Sequence, residues 1–170
     1  MKTPAQHDFI LWQIFSMTLA ATTQRAKMYA DEVQTRGSFQ KALRAALEEL
    51  SQDYKLEISN QRHVANIEHL AIELSKKHAN LLTNGRFRIG QSQKALNLYL
   101  KYLWCLGEIA TPPHCPIDAI VLSHIPEFKE ERWTQLDCIE RYQRIIEAAR
   151  RESNGIPLAV WELELYNRLG

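Results

Sequence analysis

The sequence predicts an all-α protein, a bundle of six or seven helices around a central apolar helix at about residues 89–106. Apolar residues recur at steps of three and four over most of the chain, and the alternation typical of half-buried strands is missing almost everywhere. The breaks between these segments are short and contain Gly, Pro, Asn or Ser. With 170 residues, 45% of them apolar, the chain suffices for one core. We therefore predict a single helical domain over residues 1–170.

The first helix is predicted over residues 5–34, where the segment TRGS ends it. Its apolar part, FILWQIFSMTLAAT, has the small residues at its end that a signal peptide needs, but Asp8 precedes it and polar residues interrupt it. It is also shorter than the roughly 20 apolar residues that cross a bilayer. We expect a buried first helix and no membrane partner.

The second and third helices have clear apolar stripes. Ser38 is expected to cap the second helix, and Asn60 precedes the third. The two stripes consist of Phe39, Leu43, Ala46, Leu47 and Leu50, and of Val64, Ile67, Leu70, Ala71, Leu74, Leu81 and Leu82. Asn84 and Gly85 suit the left-handed backbone that follows a helix.

The fourth helix is followed by three prolines, at positions 112, 113 and 116, that exclude a helix from most of the next segment. The run IDAIVLSHI fits a buried strand or a short helix, and Pro116 before it favours the helix. Helical spacing resumes at Pro126 and stops at SNG, and a last helix starts at Pro157. Residues 55–58 and 87–89 could form minor strands.

Charge is distributed unevenly although the net charge is only +1. Residues 74–107 contain six Lys and Arg residues and no Asp or Glu, whereas residues 108–170 contain 11 acidic and seven basic residues. The net charge gives no general argument for nucleic acid or a membrane as a partner, so only the local basic segment can favour an anion.

The fourth helix is apolar nearly all round, apart from a stripe of Lys94, Asn97 and Lys101. In one interpretation these lysines pair with Asp118, Glu108 or Glu162, because an unpaired buried ammonium is costly. In the other, the stripe lines a cleft whose mouth carries Arg86 and Arg88, which would clamp phosphate oxygens.

The basic segment carries our leading functional hypothesis, binding of a phosphate-bearing or polyanionic ligand, with nucleic acid favoured. The predicted ligand-binding residues are Arg86, Arg88, Lys94, Asn97 and Lys101. One alternative is an enzyme in which Lys94 or Lys101 acts as a base or Schiff-base nucleophile with Asp118 or Glu162 as partner. Another is a helical protein–protein interaction module that forms homo-oligomers and has no catalytic role.

The sequence gives little support to disulfides, to a metal site or to a nucleophilic cysteine. Cys105, Cys115 and Cys138 lack the spacing of a disulfide framework, which favours reduced thiols and a cytoplasmic location. Paired metal ligands such as C-x2-C do not occur, so we predict no metal site and no cofactor. His114 and Cys115 are adjacent, and a buried structural thiol is a simpler interpretation of Cys115 than a nucleophile.

Overall fold

The computed structural model describes residues 3–31 and 33–168 and folds them into seven α-helices. These are α1 (Pro4–Thr23), α2 (Gly37–Ser51), α3 (Asn60–His78), α4 (Ile89–Cys105), α5 (Ala119–Ser123), α6 (Ile139–Glu152) and α7 (Leu158–Asn167). Short 3₁₀ turns lie between several of them, and the described residues contain no strand, only an isolated bridge between Tyr29 and Leu82. The predicted all-α architecture is confirmed.

Helix α4 is the centre of the bundle, as its composition predicts. Every residue from Ile89 to Leu100 is buried, and α4 packs against α1, α2, α3 and α6. Polar groups on α4 bond to neighbouring elements; for example, Ser92 Oγ donates to the carbonyl of Ile67 on α3 at 2.7 Å. The helix is therefore held by hydrogen bonds as well as by apolar contact.

Three of the helices begin with a side-chain cap, whereas α2, α6 and α7 begin without one. Thr3, Ser59 and Asp118 each accept a backbone N–H at the start of α1, α3 and α5. The prediction for Ser38 was wrong, because α2 begins one residue earlier, at Gly37, without a side-chain cap. After α3, Asn84 and Gly85 have positive φ angles of 55° and 67°, as predicted.

The first helix is shorter than predicted and ends at Thr23 rather than near residue 34. The chain beyond it buries Ala26, Met28 and Tyr29 and runs beside the segment that follows α3. Thr83 anchors this pairing, since its N–H donates to the Met28 carbonyl at 2.9 Å and its hydroxyl to the Tyr29 carbonyl at 2.9 Å. Backbone groups that a longer helix would have paired internally are satisfied between two segments instead.

The same pairing explains why the third helix ends at His78. Both Leu81 and Leu82 were predicted on its stripe, but Leu81 lies in a 3₁₀ turn and Leu82 is extended and forms the bridge to Tyr29. The minor strands suggested at residues 55–58 and 87–89 are absent from the described residues.

The predicted helix starting at Pro126 was also wrong over its first part. Residues 126–128 and 133–135 form 3₁₀ turns, and α6 begins only at Ile139. The backbone here packs directly on the first turn of α4: Gly90 N donates to the Leu136 carbonyl at 2.7 Å, and a Cβ on Gly90 would collide with the Trp133 carbonyl. The close approach of two backbones fixes this segment in a non-helical path.

Candidate functional site

The two predicted arginines bond to the segment that precedes α6. Arg86 Nε and its Nη2 donate to the two carboxylate oxygens of Asp137 at 2.7 and 3.0 Å, so the pair is bidentate. Asp137 raises the pKa of Arg86 further above its ordinary value. Arg88 donates to the Thr134 carbonyl at 3.1 Å and has no carboxylate partner among the described residues. The charge of Arg86 is thus balanced by Asp137, whereas no carboxylate among the described residues balances the charge of Arg88.

Lys94 is buried and forms an ion pair with Asp118. Its Nζ lies 2.7 Å from Asp118 Oδ2, and the other carboxylate oxygen accepts the N–H groups of Ile120 and Val121 at the start of α5. Burial by itself raises the pKa of Asp118, but Lys94 and these backbone donors outweigh it and lower the pKa below its ordinary value. Asp118 therefore serves both as a helix cap and as the counter-ion of Lys94.

Lys101 pairs in the same way with Glu162 of α7. Its Nζ lies 3.0 Å from Glu162 Oε1 and 2.8 Å from Oε2, and it stands 4.5 Å from the centre of the Tyr166 ring. Burial raises the pKa of Glu162, and Lys101 offsets only part of the rise. Each ammonium of the polar stripe thus faces a carboxylate of the same chain.

The structure consequently does not gather the five predicted residues into one open cleft. Asn97 lies inside the core, where its Nδ2 donates to the Tyr142 hydroxyl at 3.1 Å. The contacts of the two lysines agree with the interpretation that pairs them with Asp118 and Glu162. In the enzyme alternative, a Schiff-base lysine must react as the neutral amine. In the structure Nζ of Lys94 and Nζ of Lys101 each contact a carboxylate instead.

Two hydrogen-bonded triads of identical composition lie in the core beside Asn97. In the first, Asn66 Nδ2 donates to the Tyr54 hydroxyl at 3.2 Å, and that hydroxyl lies 2.7 Å from Nδ1 of His63.

The second triad repeats this order. Asn97 donates to Tyr142, whose hydroxyl lies 2.8 Å from Nδ1 of His114. In both, the tyrosine accepts from an amide and so donates to the imidazole, which places the histidine proton on Nε2. We call these six residues the paired triads.

The electrostatics of the paired triads favour neutral side chains. Burial lowers the pKa of His63 to about 4, and the Asn97 side chain offsets part of that shift. Among the described residues His63 Nε2 and Asn97 Oδ1 have no hydrogen-bond partner. Burial, His63 and Arg150 together hold the pKa of His114 well below its ordinary value. Burial raises the pKa of Tyr54 and Tyr142. None of these four groups is charged at neutral pH.

One path of hydrogen bonds leads from the paired triads to the surface. His114 Nε2 bonds to Oδ1 of Asn60, and the same oxygen accepts from Nη2 of Arg150 at 2.6 Å. Arg150 is exposed and lines a cleft of about 560 Å³ beside the loop between α6 and α7.

Sequence reasoning missed the paired triads, although weak signals were present. His63 and Asn66 immediately precede the stripe residues Val64 and Ile67, and Tyr142 belongs to the apolar stripe of α6. Each therefore resembled a boundary or core residue on its own helix. Only the packing of α3, α4 and α6 brings them together.

The described residues give no support to a reactive Cys115 or to a metal site. Cys115 is buried, and burial raises the pKa of its thiol, which disfavours the reactive thiolate. No group of three His, Cys, Asp or Glu side chains suited to a metal ion occurs in the part of the chain that is described.

The outer face of α1 departs from the predicted buried helix. Ile14, Phe15, Thr18 and Thr22 are buried, but Phe9, Trp12 and Met17 on other sides are 62%, 50% and 44% exposed. This part of α1, from Phe9 to Thr23, carries no charged residue. None of the helices in the described residues has the length and apolar character needed to span a membrane.

The chain has no match among protein-family models, curated proteins or solved structures. Its function therefore has to be inferred from the chemistry of its own residues.

Proposed function

We propose that this protein is a helical interaction module that self-associates through the outer face of α1. The observation that supports the proposal is the exposure of two aromatic side chains, Phe9 and Trp12, on a helix face whose charged neighbour within α1 is Asp8. Large aromatic side chains dominate the energetics of protein interfaces, and they are rarely left in water in such a group. The face is defined by Ala5, Phe9, Trp12, Ser16 and Ala20, and we call it the α1 face.

The five residues of the α1 face are uncharged, which favours a second copy of the same chain as the partner. A charged partner surface would lose the hydration of its charges against the α1 face without gaining an ion pair. The five residues of a second α1 face carry no charge whose hydration could be lost. A two-fold axis brings the same patch of both copies together, so the patch must be complementary to itself.

The order of side chains on the α1 face satisfies that requirement. If two copies of α1 cross antiparallel with the axis near Trp12, Phe9 of one copy meets Ser16 of the other. Ala5 then meets Ala20. Phe9 thus opposes a small side chain, the alanines allow the two helices to approach closely, and the two Trp12 rings meet at the axis.

The size of the α1 face determines how strong self-association is expected to be. Aromatic side chains bury about 150–250 Å² each, so the exposed fractions of Phe9 and Trp12 supply on the order of 200 Å² per copy. A standard interface buries about 800 Å² per partner. We therefore expect a weak dimer that forms only toward high micromolar concentration, unless neighbouring surfaces add to the contact.

Sedimentation velocity over a range from micromolar to millimolar protein tests the proposal. The weight-average mass should rise toward that of a dimer, and Trp12→Glu should keep the protein monomeric, because it places a charge at the axis. Ile72→Glu is the matched control, since Ile72 is an exposed apolar residue on α3, 55% accessible. A monomer at every concentration, or equal loss in both variants, contradicts self-association through this face.

Phosphate binding through the basic segment remains a second candidate, favoured by one specific observation. Arg88 has no carboxylate partner among the described residues and lies two positions from Arg86. A phosphate would have to compete with Asp137 for Arg86, and with Asp118 and Glu162 for the two lysines.

Fluorescence anisotropy with a labelled oligonucleotide at low and high salt tests this candidate. Binding by Arg88 and Arg86 should weaken with salt, because contact with phosphates releases counterions. It should also weaken in Arg88→Gln, with Arg132→Gln as a control on another segment. No salt-sensitive association contradicts it.

A further inference from the structure

The cleft beside the α6–α7 loop combines an apolar wall with one basic group. Its wall contains Ile58, Pro112, Pro113, Ile156, Pro157 and Leu158. Among the lining residues Arg150 is the one lysine or arginine and Glu57 is the one carboxylate. Arg150 donates to Asn60 and not to Glu57. The volume of about 560 Å³ falls in the range of small-molecule sites, which are mostly apolar with a few placed polar groups.

Arg150 is one of six arginines that form no ion pair among the described residues, whereas the other six do. Arg86, Arg141 and Arg151, for example, each pair with a carboxylate, whereas Arg150 has none among the described residues. Its bond is to a neutral acceptor, Asn60 Oδ1. The charge is thus exposed and uncompensated, while one edge of the guanidinium is held in place.

The anchor of Arg150 is itself held from inside the core. Asn60 Oδ1 also accepts from His114 Nε2, and His114 is fixed by Tyr142 in the second of the paired triads. A guanidinium oriented in advance loses less freedom when it binds an anion, and its remaining N–H groups suit the two oxygens of a carboxylate.

We propose that this cleft binds a small apolar carboxylate, with Arg150 pairing the carboxylate and the proline-rich wall covering the apolar tail. Prolines 112, 113 and 157 restrict the backbone on two sides, so the wall is rigid before a ligand arrives. The site is separate from the α1 face, and its occupancy does not depend on self-association. Binding at Arg150 also changes the charge that His114 and His63 experience.

Octanoate is a suitable probe, and titration calorimetry measures its binding to the full chain. We expect octanoate to bind, and Arg150→Met to weaken it roughly ten- to hundredfold, the effect of losing a charge-assisted hydrogen-bonded pair. Arg144→Met is the matched control, because Arg144 is an exposed arginine on the same helix. 1-Octanol, which has the same tail without the charge, should bind more weakly by a similar factor.

Histidine ring signals in NMR provide a second measurement that does not depend on a variant. Octanoate should shift the ring resonances of His114 and leave those of the exposed His69 and His124 unchanged. Absence of octanoate binding, equal losses in both arginine variants, equal binding of 1-octanol, or an unchanged His114 signal would each overturn the proposal.

Discussion

The imidazole rings of His63 and His114 lie edge to face in the middle of the bundle, with centroids 4.5 Å apart and planes at 76°. They come from α3 and from the proline-rich segment after α4, and a tyrosine hydroxyl holds each ring at Nδ1. A proton on either ring would face the other ring and the Arg150 charge, and no carboxylate among the described residues pairs with either ring. The pair therefore makes the fold sensitive to acid.

The first prediction concerns stability between pH 6.5 and 4. The pKa of His63 is about 4 in the folded chain against an ordinary value of 6.5, so only the unfolded chain takes up this proton in that interval. The free energy of unfolding should fall as the pH drops through it, by roughly 3 kcal/mol from His63. Urea unfolding at several pH values measures this.

The control for this acid sensitivity is an exposed histidine of the same helix. His63→Gln should flatten the pH dependence, and His69→Gln should preserve it. Glu162 acts in the opposite sense above pH 4.5, because its folded pKa is raised, so the comparison is between variants. Equal slopes in both variants would refute the assignment.

The second prediction concerns the tyrosine hydroxyls of the paired triads. Tyr142→Phe removes the donor to His114 and the acceptor for Asn97, and should lower the free energy of unfolding by about 1–3 kcal/mol. Tyr54→Phe should act similarly through His63. Tyr166→Phe is the control, since this ring is 58% exposed, and a similar loss there would contradict the explanation.

The third prediction concerns the ion pair between α4 and α7. Lys101→Met leaves the Glu162 carboxylate buried and unpaired, and should cost on the order of 3 kcal/mol. Lys101→Met combined with Glu162→Leu should recover most of that loss, because no buried charge remains. The exposed pair of Arg168 with Glu164 is the reference, where Arg168→Met should cost less than about 1 kcal/mol. A double variant as unstable as the single one argues against this account.

The fourth prediction concerns the backbone contact at the start of α4. Gly90→Ala should lower stability by at least about 2 kcal/mol, because the new methyl group meets the Trp133 carbonyl and must displace backbone. Gly37→Ala, at a helical glycine with open space around it, should be neutral or slightly stabilising. Thermal unfolding of both variants gives the comparison, and a harmless Gly90→Ala would rule out the close approach.

The periodic parts of the fold could be predicted from the sequence, whereas the segments held by backbone contacts could not. The stripe from Phe39 to Leu47 gives α2 its buried face, and the apolar surroundings of Lys94 and Lys101 mark α4 as central. The path of residues 133–136 depends on Gly90, whose missing side chain matters only once the other backbone is beside it. Local propensity contains no such information.

By itself, the sequence determined the helical class, the central helix and the residue types that need partners, because these follow from the spacing and polarity of near neighbours. Only the tertiary structure determined which residues contact each other. It placed Asp118 and Glu162 against the lysines and His63 against His114. Within the described residues it left Arg150 without a carboxylate partner and left Phe9 and Trp12 exposed. The physical reason is distance: charge pairing, burial and exposure depend on separations of a few ångströms between residues far apart along the chain.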